Sequence, residues 1–260
     1  MTMESRYAPG KYPRISPCGE SALLVEFAPV ISAVVNDRVH ALAKNLAEDP
    51  VPGLVETVPA YGSLLVYFDL RRIRFRRLQG LIRRRITQST EGSAPARTLF
   101  FIPVCYEGAF AEDLGEVVSH TGLSPGEILR RHTAPRYRIF MLGFLPGFPY
   151  LGGLDPRLET PRRKTPRTAV PRGAVGIGGN QTGIYPLASP GGWQLIGRTP
   201  IRPYDSRREE PVLYKTGDFI AFFPIDPGEY AETEKQVEAG VYEVRREAYS
   251  PPPEEGPPWE

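Results

Sequence analysis

Gly143-Phe144-Leu145-Pro146-Gly147-Phe148-Pro149-Tyr150-Leu151-Gly152-Gly153 and Ser189-Pro190-Gly191-Gly192-Trp193-Gln194-Leu195-Ile196-Gly197-Arg198-Thr199 bracket the part of this 260-residue chain that decides its fold. Glycine tolerates positive φ and close backbone approach, whereas proline fixes φ and removes an amide donor. A segment rich in both excludes regular helix. Phe144, Phe148, Tyr150, Tyr185 and Trp193 are large rings that need burial or a ligand, which argues against a disordered linker. The stretch reads as ordered loops wrapped around short strands, with a concave surface between them.

Downstream, Ile201–Tyr204, Val212–Tyr214 and Phe219–Phe223 are short strand candidates separated by Gly and Pro turns. That rhythm indicates a barrel or sandwich. Asp226-Pro227-Gly228-Glu229 opens a helix reaching Ala239, and Val241–Val244 reads as a last strand. Upstream, Leu99–Val104 is a strand and Glu112–His120 a helix. Ser124-Pro125-Gly126-Glu127 has capping-box spacing with proline at the first helical position, so a second helix follows. Arg136–Leu142 is the strand that delivers the chain into the central stretch.

Arg14 to Gln88 reads strand, strand, helix, strand, strand, helix. Ile31, Val34, Val35, Val39, Leu42 and Leu46 recur at helical spacing, as do Leu78, Leu81, Ile82 and Ile86. Two helices over one sheet make a compact α+β module. The fold class expected is therefore α+β, with domains at 1–92 and 93–247, a boundary near Gly92, and a disordered Pro/Glu-rich tail at 248–260.

Hydrophobic content of 41% and charged content of 24% are those of a soluble globular protein. The net charge of +2 says little about partners. Arginines cluster at Arg71-Arg72, Arg74, Arg76-Arg77 and Arg83-Arg84-Arg85, but no RNA- or DNA-binding module surrounds them. They read as a solvated basic helix face, so no nucleic-acid partner is expected. No run of ~18 apolar residues is present, so no membrane partner is expected either. Met1–Pro13 lacks an apolar secretion core, and Cys18 and Cys105 stand far apart, which makes the cytoplasm the expected location.

Several common sites are missing. There is no G-x-x-x-x-G-K-[ST], no G-x-S-x-G, and Gly176-Ile177-Gly178-Gly179 fails the dinucleotide fingerprint. His40, His120 and His132 suit no metal spacing. The suggestive feature is three Pro-Arg steps at five-residue intervals, Pro161-Arg162, Pro166-Arg167 and Pro171-Arg172. Such arginines offer planar forks to a carboxylate or phosphate, with each proline stiffening the loop. The competing reading puts them on the surface or in pairs with Asp155, Glu159 or Asp205. In extended chain, residues five apart point to opposite faces, so all three cannot share one site without turns between them. Gly152-Gly153, Gly178-Gly179 and Gly191-Gly192 suit an anion-binding nest or tight barrel turns. The aromatic rings suit a pocket wall or a core. His132 suits acid–base chemistry or a helix C-terminal cap.

The succession from Gly143 to Pro200, together with Ile102-Pro103-Val104-Cys105-Tyr106, Gly19–Phe27 and Val58-Pro59-Ala60-Tyr61, resembles the allophanate hydrolase subunit 1 family. That family is also called the KipI or PxpB family, PxpB being the B component of 5-oxoprolinase, and it includes half of the carboxyltransferase region of urea carboxylases. The chain departs from the family at Arg172-Gly173-Ala174, where the usual pattern ends in Gly-Ser, so a hydroxyl at position 174 is absent. The resemblance implies a cyclophilin-like β-barrel after the small α+β domain. It also implies a subunit 2 partner (PxpC type) and a PxpA-type subunit. The implied reaction is ATP-dependent opening of the lactam 5-oxo-L-proline to L-glutamate, with ATP and Mg bound in the assembled complex. Arg162, Arg167 and Arg198 are the candidate catalytic cations. Gly191 and Gly192 are candidate amide donors, and Phe148, Tyr150, Trp193 and Gln181 complete the candidate substrate site. Alternatives within the family are a KipI-like histidine-kinase inhibitor and a carboxyltransferase half. Prolyl isomerase activity, suggested only by the barrel type, ranks last.

Overall fold

A computed structural model describes residues 12–88 and 97–251. The chain divides into two compact units between residues 95 and 96. The boundary expected near Gly92 lies outside the described residues.

The first unit runs β1 (Arg14–Cys18), β2 (Ala22–Glu26), α1 (Ala33–Glu48), β3 (Leu54–Pro59), β4 (Ser63–Phe68) and α2 (Phe75–Gln88). Its antiparallel sheet has the order β1-β2-β4-β3. Strand alternation places Leu23, Val25, Leu64 and Val66 on one face, where Val35, Val39, Leu42, Leu46, Leu78 and Ile82 close a core. The Ser32 hydroxyl caps α1 at Val35 N–H. Buried Asn36 donates to the carbonyls of Ala60 and Tyr61 at 3.2 and 3.1 Å, tying α1 to the β3–β4 turn. That turn needs Gly62, since a Cβ there would stand 2.1 Å from the Ala28 carbonyl oxygen.

The second unit begins with β5 (Arg97–Cys105), α3 (Leu114–Thr121), α4 (Pro125–Thr133), β6 (Tyr137–Leu142) and β7 (Pro149–Gly152). It continues with β8 (Arg167–Val170), β9 (Ala174–Gly178), β10 (Gln181–Ile184), β11 (Ser189–Gly191) and β12 (Gln194–Arg198). It ends with β13 (Phe219–Ile225), α5 (Pro227–Glu238) and β14 (Arg246–Tyr249). The sheet runs β12-β9-β10-β7-β6-β13-β5 and closes on itself where Arg198 of β12 pairs with Cys105 of β5. The result is a seven-stranded barrel following a small α+β unit, the architecture the resemblance implies. Its interior is filled by Ile102, Val104, Ile139, Leu151, Val175, Ile177, Ile184, Ile196 and Ile220. β14 joins the outer end of β5, and β8 and β11 form a separate ribbon.

Ser124 caps α4 as its spacing indicated, and Asp226 and Glu229 form a full capping box on α5. Three expectations change. The last strand lies at Arg246–Tyr249 rather than Val241–Val244, because it is register with β5, Tyr249 opposite Arg97, that selects it. Ala248 and Tyr249 therefore belong to the barrel unit and not to the tail, whose residues from 252 on lie outside the described part. Ile201–Tyr204 and Val212–Tyr214 make only one isolated bridge, Tyr204 with Val212. Arg208 donates there to the carbonyls of Arg202, Pro203 and Pro211, satisfying groups that a strand ladder would otherwise use.

Candidate functional site

The central stretch folds around one indole. Along β9, Val175 and Ile177 enter the barrel core while Ala174, Gly176 and Gly178 face the opposite side. Gly183 of β10 sits directly across from Gly176. A Cβ on Gly178 would lie 2.6 Å from the Trp193 indole, and one on Gly183 would lie 3.1 Å from it and 2.8 Å from the Pro149 carbonyl oxygen. These glycines strip the sheet bare so that Trp193 lies flat against it, only 4% exposed. Phe148 and Tyr185 meet the indole edge-on, at 5.5 and 6.5 Å between ring centres, and Tyr150 flanks it at 6.1 Å. Edge-to-face pairing of this kind fixes ring orientation as well as burying area.

The amide-donor reading of Gly191 and Gly192 meets a steric one. A Cβ on Gly191 would collide with Tyr185 at 2.6 Å, and the Gly192 carbonyl accepts from Arg163 N–H at 2.7 Å. Gly192 thereby ties the arginine loop to the tryptophan turn.

The arginines divide into two sets. Arg162 is exposed, with its guanidinium carbon 5.7 Å from the Trp193 ring centre, and it makes no ion pair among the described residues. Arg167 turns toward Asp113, whose carboxylate accepts from it at 2.6 and 2.8 Å. The same carboxylate accepts from Arg163 at 2.8 Å and from Leu195 N–H at 2.7 Å. Asp113 is 2% exposed, and its bond to Arg167 holds that guanidinium's proton more tightly than usual. Arg198 stands over Phe110 at 5.5 Å and 3.8 Å from Glu112, which also lies 3.5 Å from Arg167. The structure thus brings Arg162, Tyr150 and Trp193 together, and gathers Arg167 and Arg198 around Glu112 and Asp113. None of the three Pro-Arg arginines pairs with Asp155, Glu159 or Asp205 among the described residues. Gln181 starts β10 opposite Gly178 and is half-buried.

Phe144 stands out in the wall of this site. It is 60% exposed and has φ 64°, and Leu145 N–H donates to the Gly143 carbonyl at 2.7 Å across it. That combination is a γ-turn of the strained, positive-φ kind. Further bonds from Phe148 to Leu145 and from Gly143 to Phe148 hold the loop closed. Burial pushes the Tyr150 hydroxyl's pKa up, and the nearby Arg162 opposes that shift. An exposed cation over an aromatic floor, beside a phenol and an outward phenyl ring, can take a small anion carrying an apolar ring.

His132 takes neither role considered for it. It is wholly buried, stacks on Phe222 at 4.9 Å, and bonds Tyr106 and Thr182, each at 2.9 Å. Thr182 spends its own hydroxyl proton on the Gly176 carbonyl at 3.0 Å, so His132 Nε2–H donates to Thr182 and Nδ1 accepts from Tyr106. Burial lowers its pKa to about 3. Asp113, Glu112 and Arg163 were not singled out from sequence. Asp113 looks like a plain helix start, yet its side chain makes no cap bond to α3, being committed to the arginine loop. The signal available was the doubled Arg162-Arg163, a second cation needing a carboxylate.

Among the described residues no group of three or more His, Cys, Asp or Glu side chains is placed to hold a metal ion. Both Asp113 oxygens are already engaged, by Arg163, Arg167 and Leu195 N–H. No helix there is long and apolar enough to cross a membrane.

Residues 13–214 match the family model described as carboxyltransferase domain, subdomain C and D. The 5-oxoprolinase B component of Bacillus subtilis is 40% identical over 84% of this chain and 95% of its own length. A solved structure of a longer protein is 42% identical over 79% of this chain, with a TM-score of 0.69, and the chain spans only 40% of its length. The urea amidolyase of Kluyveromyces lactis shares the fold at 22% identity, with a TM-score of 0.79 over 90% of this chain and 16% of its own. On these matches, the chain belongs to the carboxyltransferase subdomain C and D family, that of the 5-oxoprolinase B component (PxpB).

Proposed function

We propose that the chain is the PxpB-type component of a multi-subunit 5-oxoprolinase, hydrolysing 5-oxo-L-proline to L-glutamate at the expense of ATP. The kinship with the 5-oxoprolinase B component of Bacillus subtilis over nearly its whole length supports this reading. The partners are a subunit 2 homologue of the PxpC type and a PxpA-type subunit. ATP and magnesium bind in the assembled complex.

The lactam carbonyl is resonance-stabilised and a poor electrophile. Phosphorylating its oxygen creates a leaving group and lets water attack the carbon. Charge then builds on the transferring phosphoryl oxygens, where fixed guanidinium groups stabilise it. The observation that carries the assignment to this chain is Arg162, exposed, without an ion pair among the described residues, and poised over Trp193. It holds the substrate carboxylate while half-buried Tyr150 and exposed Phe144 flank the ring, and buried Trp193 and Phe148 set their positions from behind. Arg167 and Arg198, engaged by Asp113 and Glu112, frame the loop and add positive potential.

The test is 5-oxoproline-dependent ATP hydrolysis by the copurified complex. Arg162→Ala is expected to lower kcat/KM by roughly 100-fold, the cost typical of losing one charge-stabilising donor. Unchanged turnover would remove Arg162 from the site. A second reading, one half of a biotin-dependent carboxyltransferase, is favoured by the description of the matching family model. Carboxyl transfer from carboxybiotin, without 5-oxoproline-dependent ATP hydrolysis, would select it.

A further inference from the structure

The outer face of α2 carries an uncompensated block of positive charge. Arg76, Arg77, Arg83 and Arg84 are all exposed, and among the described residues none of the four faces a carboxylate. The helix holds no acidic residue at all, whereas Arg85, on its half-buried side, pairs with Asp49. At 100° per residue, Arg76 and Arg83 form one row and Arg77 and Arg84 a second, each spanning about 10.5 Å. Between the rows lies Gly80, whose Cβ position meets nothing within 4 Å. The face is therefore a shallow notch with a guanidinium pair on either side.

Two features make simple solvation a poor account. Surface helices gain from opposite charges three or four residues apart, and α2 has none. Arg76 and Arg77 also occupy its first turn, where the helix dipole disfavours cations. The arrangement costs the isolated chain stability and returns it only when an anionic surface arrives. Arginine rather than lysine gives planar forks suited to carboxylates at a protein interface.

We propose that this face of α2 docks a carboxylate-bearing helix of a partner polypeptide, with acidic residues at i and i+7 meeting each arginine row and the partner's backbone approaching over Gly80. A protein partner is favoured over nucleic acid because no aromatic side chain interrupts the exposed face to stack a base; its other residues are Thr87 and Gln88. The identification of that partner with the subunit 2 homologue rests on the functional reading above.

The experiment is titration of the full chain with its subunit 2 homologue at 50 and 500 mM NaCl, by calorimetry, for the wild type, Arg77→Glu/Arg84→Glu and Arg77→Lys/Arg84→Lys. Fold is checked by circular dichroism, which these exposed positions should leave unchanged. The expected result is an affinity that falls at least about tenfold with salt and about tenfold again in the Glu variant. The Lys variant should keep the salt dependence and fall between the wild type and the Glu variant in affinity, and saturating subunit 2 should restore 5-oxoproline-dependent ATP hydrolysis to the Glu variant. Equal affinities for all three chains overturn the proposal, as does tight binding to a DNA duplex or phosphatidylserine vesicles with assembly of the complex unaffected by the Glu variant. A complex that forms with this salt and charge dependence but does not hydrolyse ATP on adding 5-oxoproline overturns the functional reading alone. No complex with the wild type overturns both.

Discussion

Arg167 closes a two-point ion pair on the buried carboxylate of Asp113, at 2.6 and 2.8 Å, although the two residues lie 54 positions apart. With Arg163 and Leu195 N–H on the same carboxylate, Asp113 is the hub that fixes the loop before β8 against β12. Asp113→Ala would strip Arg163 and Arg167 of their shared counter-charge, leaving Arg167 only Glu112 at 3.5 Å. The loss expected from breaking such a pair is about 3 kcal/mol. Asp113→Asn keeps an acceptor for Leu195 N–H and should cost less. Urea unfolding of both variants checks the order; equal midpoints would deny Asp113 its role as hub.

The bare sheet beneath Trp193 makes a sharp steric demand. Gly178→Ala places a methyl 2.6 Å from the indole, forcing the ring out of its seat. Overpacking of this kind costs about 1–3 kcal/mol. Tryptophan emission, recorded with Trp259 replaced by Phe, should shift to the red as Trp193 gains solvent. An unshifted spectrum with an unchanged Tm would show that the seat is looser than drawn.

His132 couples barrel stability to pH. Its folded pKa of about 3 lies below the ordinary histidine value near 6.5, so the unfolded chain binds the proton more readily. Stability from this group is complete above pH ~6.5 and is lost as pH falls toward 3, by at most about 1.4 kcal/mol per pH unit. Chemical denaturation at pH 7, 5.5 and 4.5 should trace that decline. His132→Gln should flatten it in this window, and an equally steep profile in that variant would place the acid sensitivity elsewhere.

Phe144 is held at φ 64° with its ring mostly in solvent, so its backbone strain is not repaid by burial. Phe144→Gly relieves that strain at a cost of little packing. The variant is expected to be at least as stable as the wild type, by up to about 1 kcal/mol. In the assembled complex its KM for 5-oxoproline should rise. A clear loss of stability would mean the ring is a structural prop and not a ligand-facing wall.

The helical spacing of Ile31 to Leu46 and of Leu78 to Ile86 made the helices of the first unit legible, because that period maps directly onto one buried face. The punctuation of Gly and Pro left a barrel and a sandwich both open, and the family resemblance chose the barrel. What the chain concealed were facts of tertiary pairing. Gly178-Gly179 reads equally well as turn or nest, and only the register of β9 and β10 brings Gly178 and Gly183 against one indole. Arg167 suited an anion, open surface or a pairing with Asp155, Glu159 or Asp205, because its partner Asp113 sits 54 positions away in what reads as a plain helix start. The strand at Arg246–Tyr249 carries mostly polar side chains and is chosen by β5, not by its own sequence.

β5 opens the second unit, yet each strand it pairs with, β12, β13 and β14, is translated after Trp193. Leu99 to Val104 thus leaves the ribosome as an unpaired apolar ribbon with its intended neighbours still unmade. Until Phe219–Ile225 emerges to lie parallel to it, that ribbon is open to self-association, so chaperone supply during synthesis should govern the yield of this protein more than its final stability does.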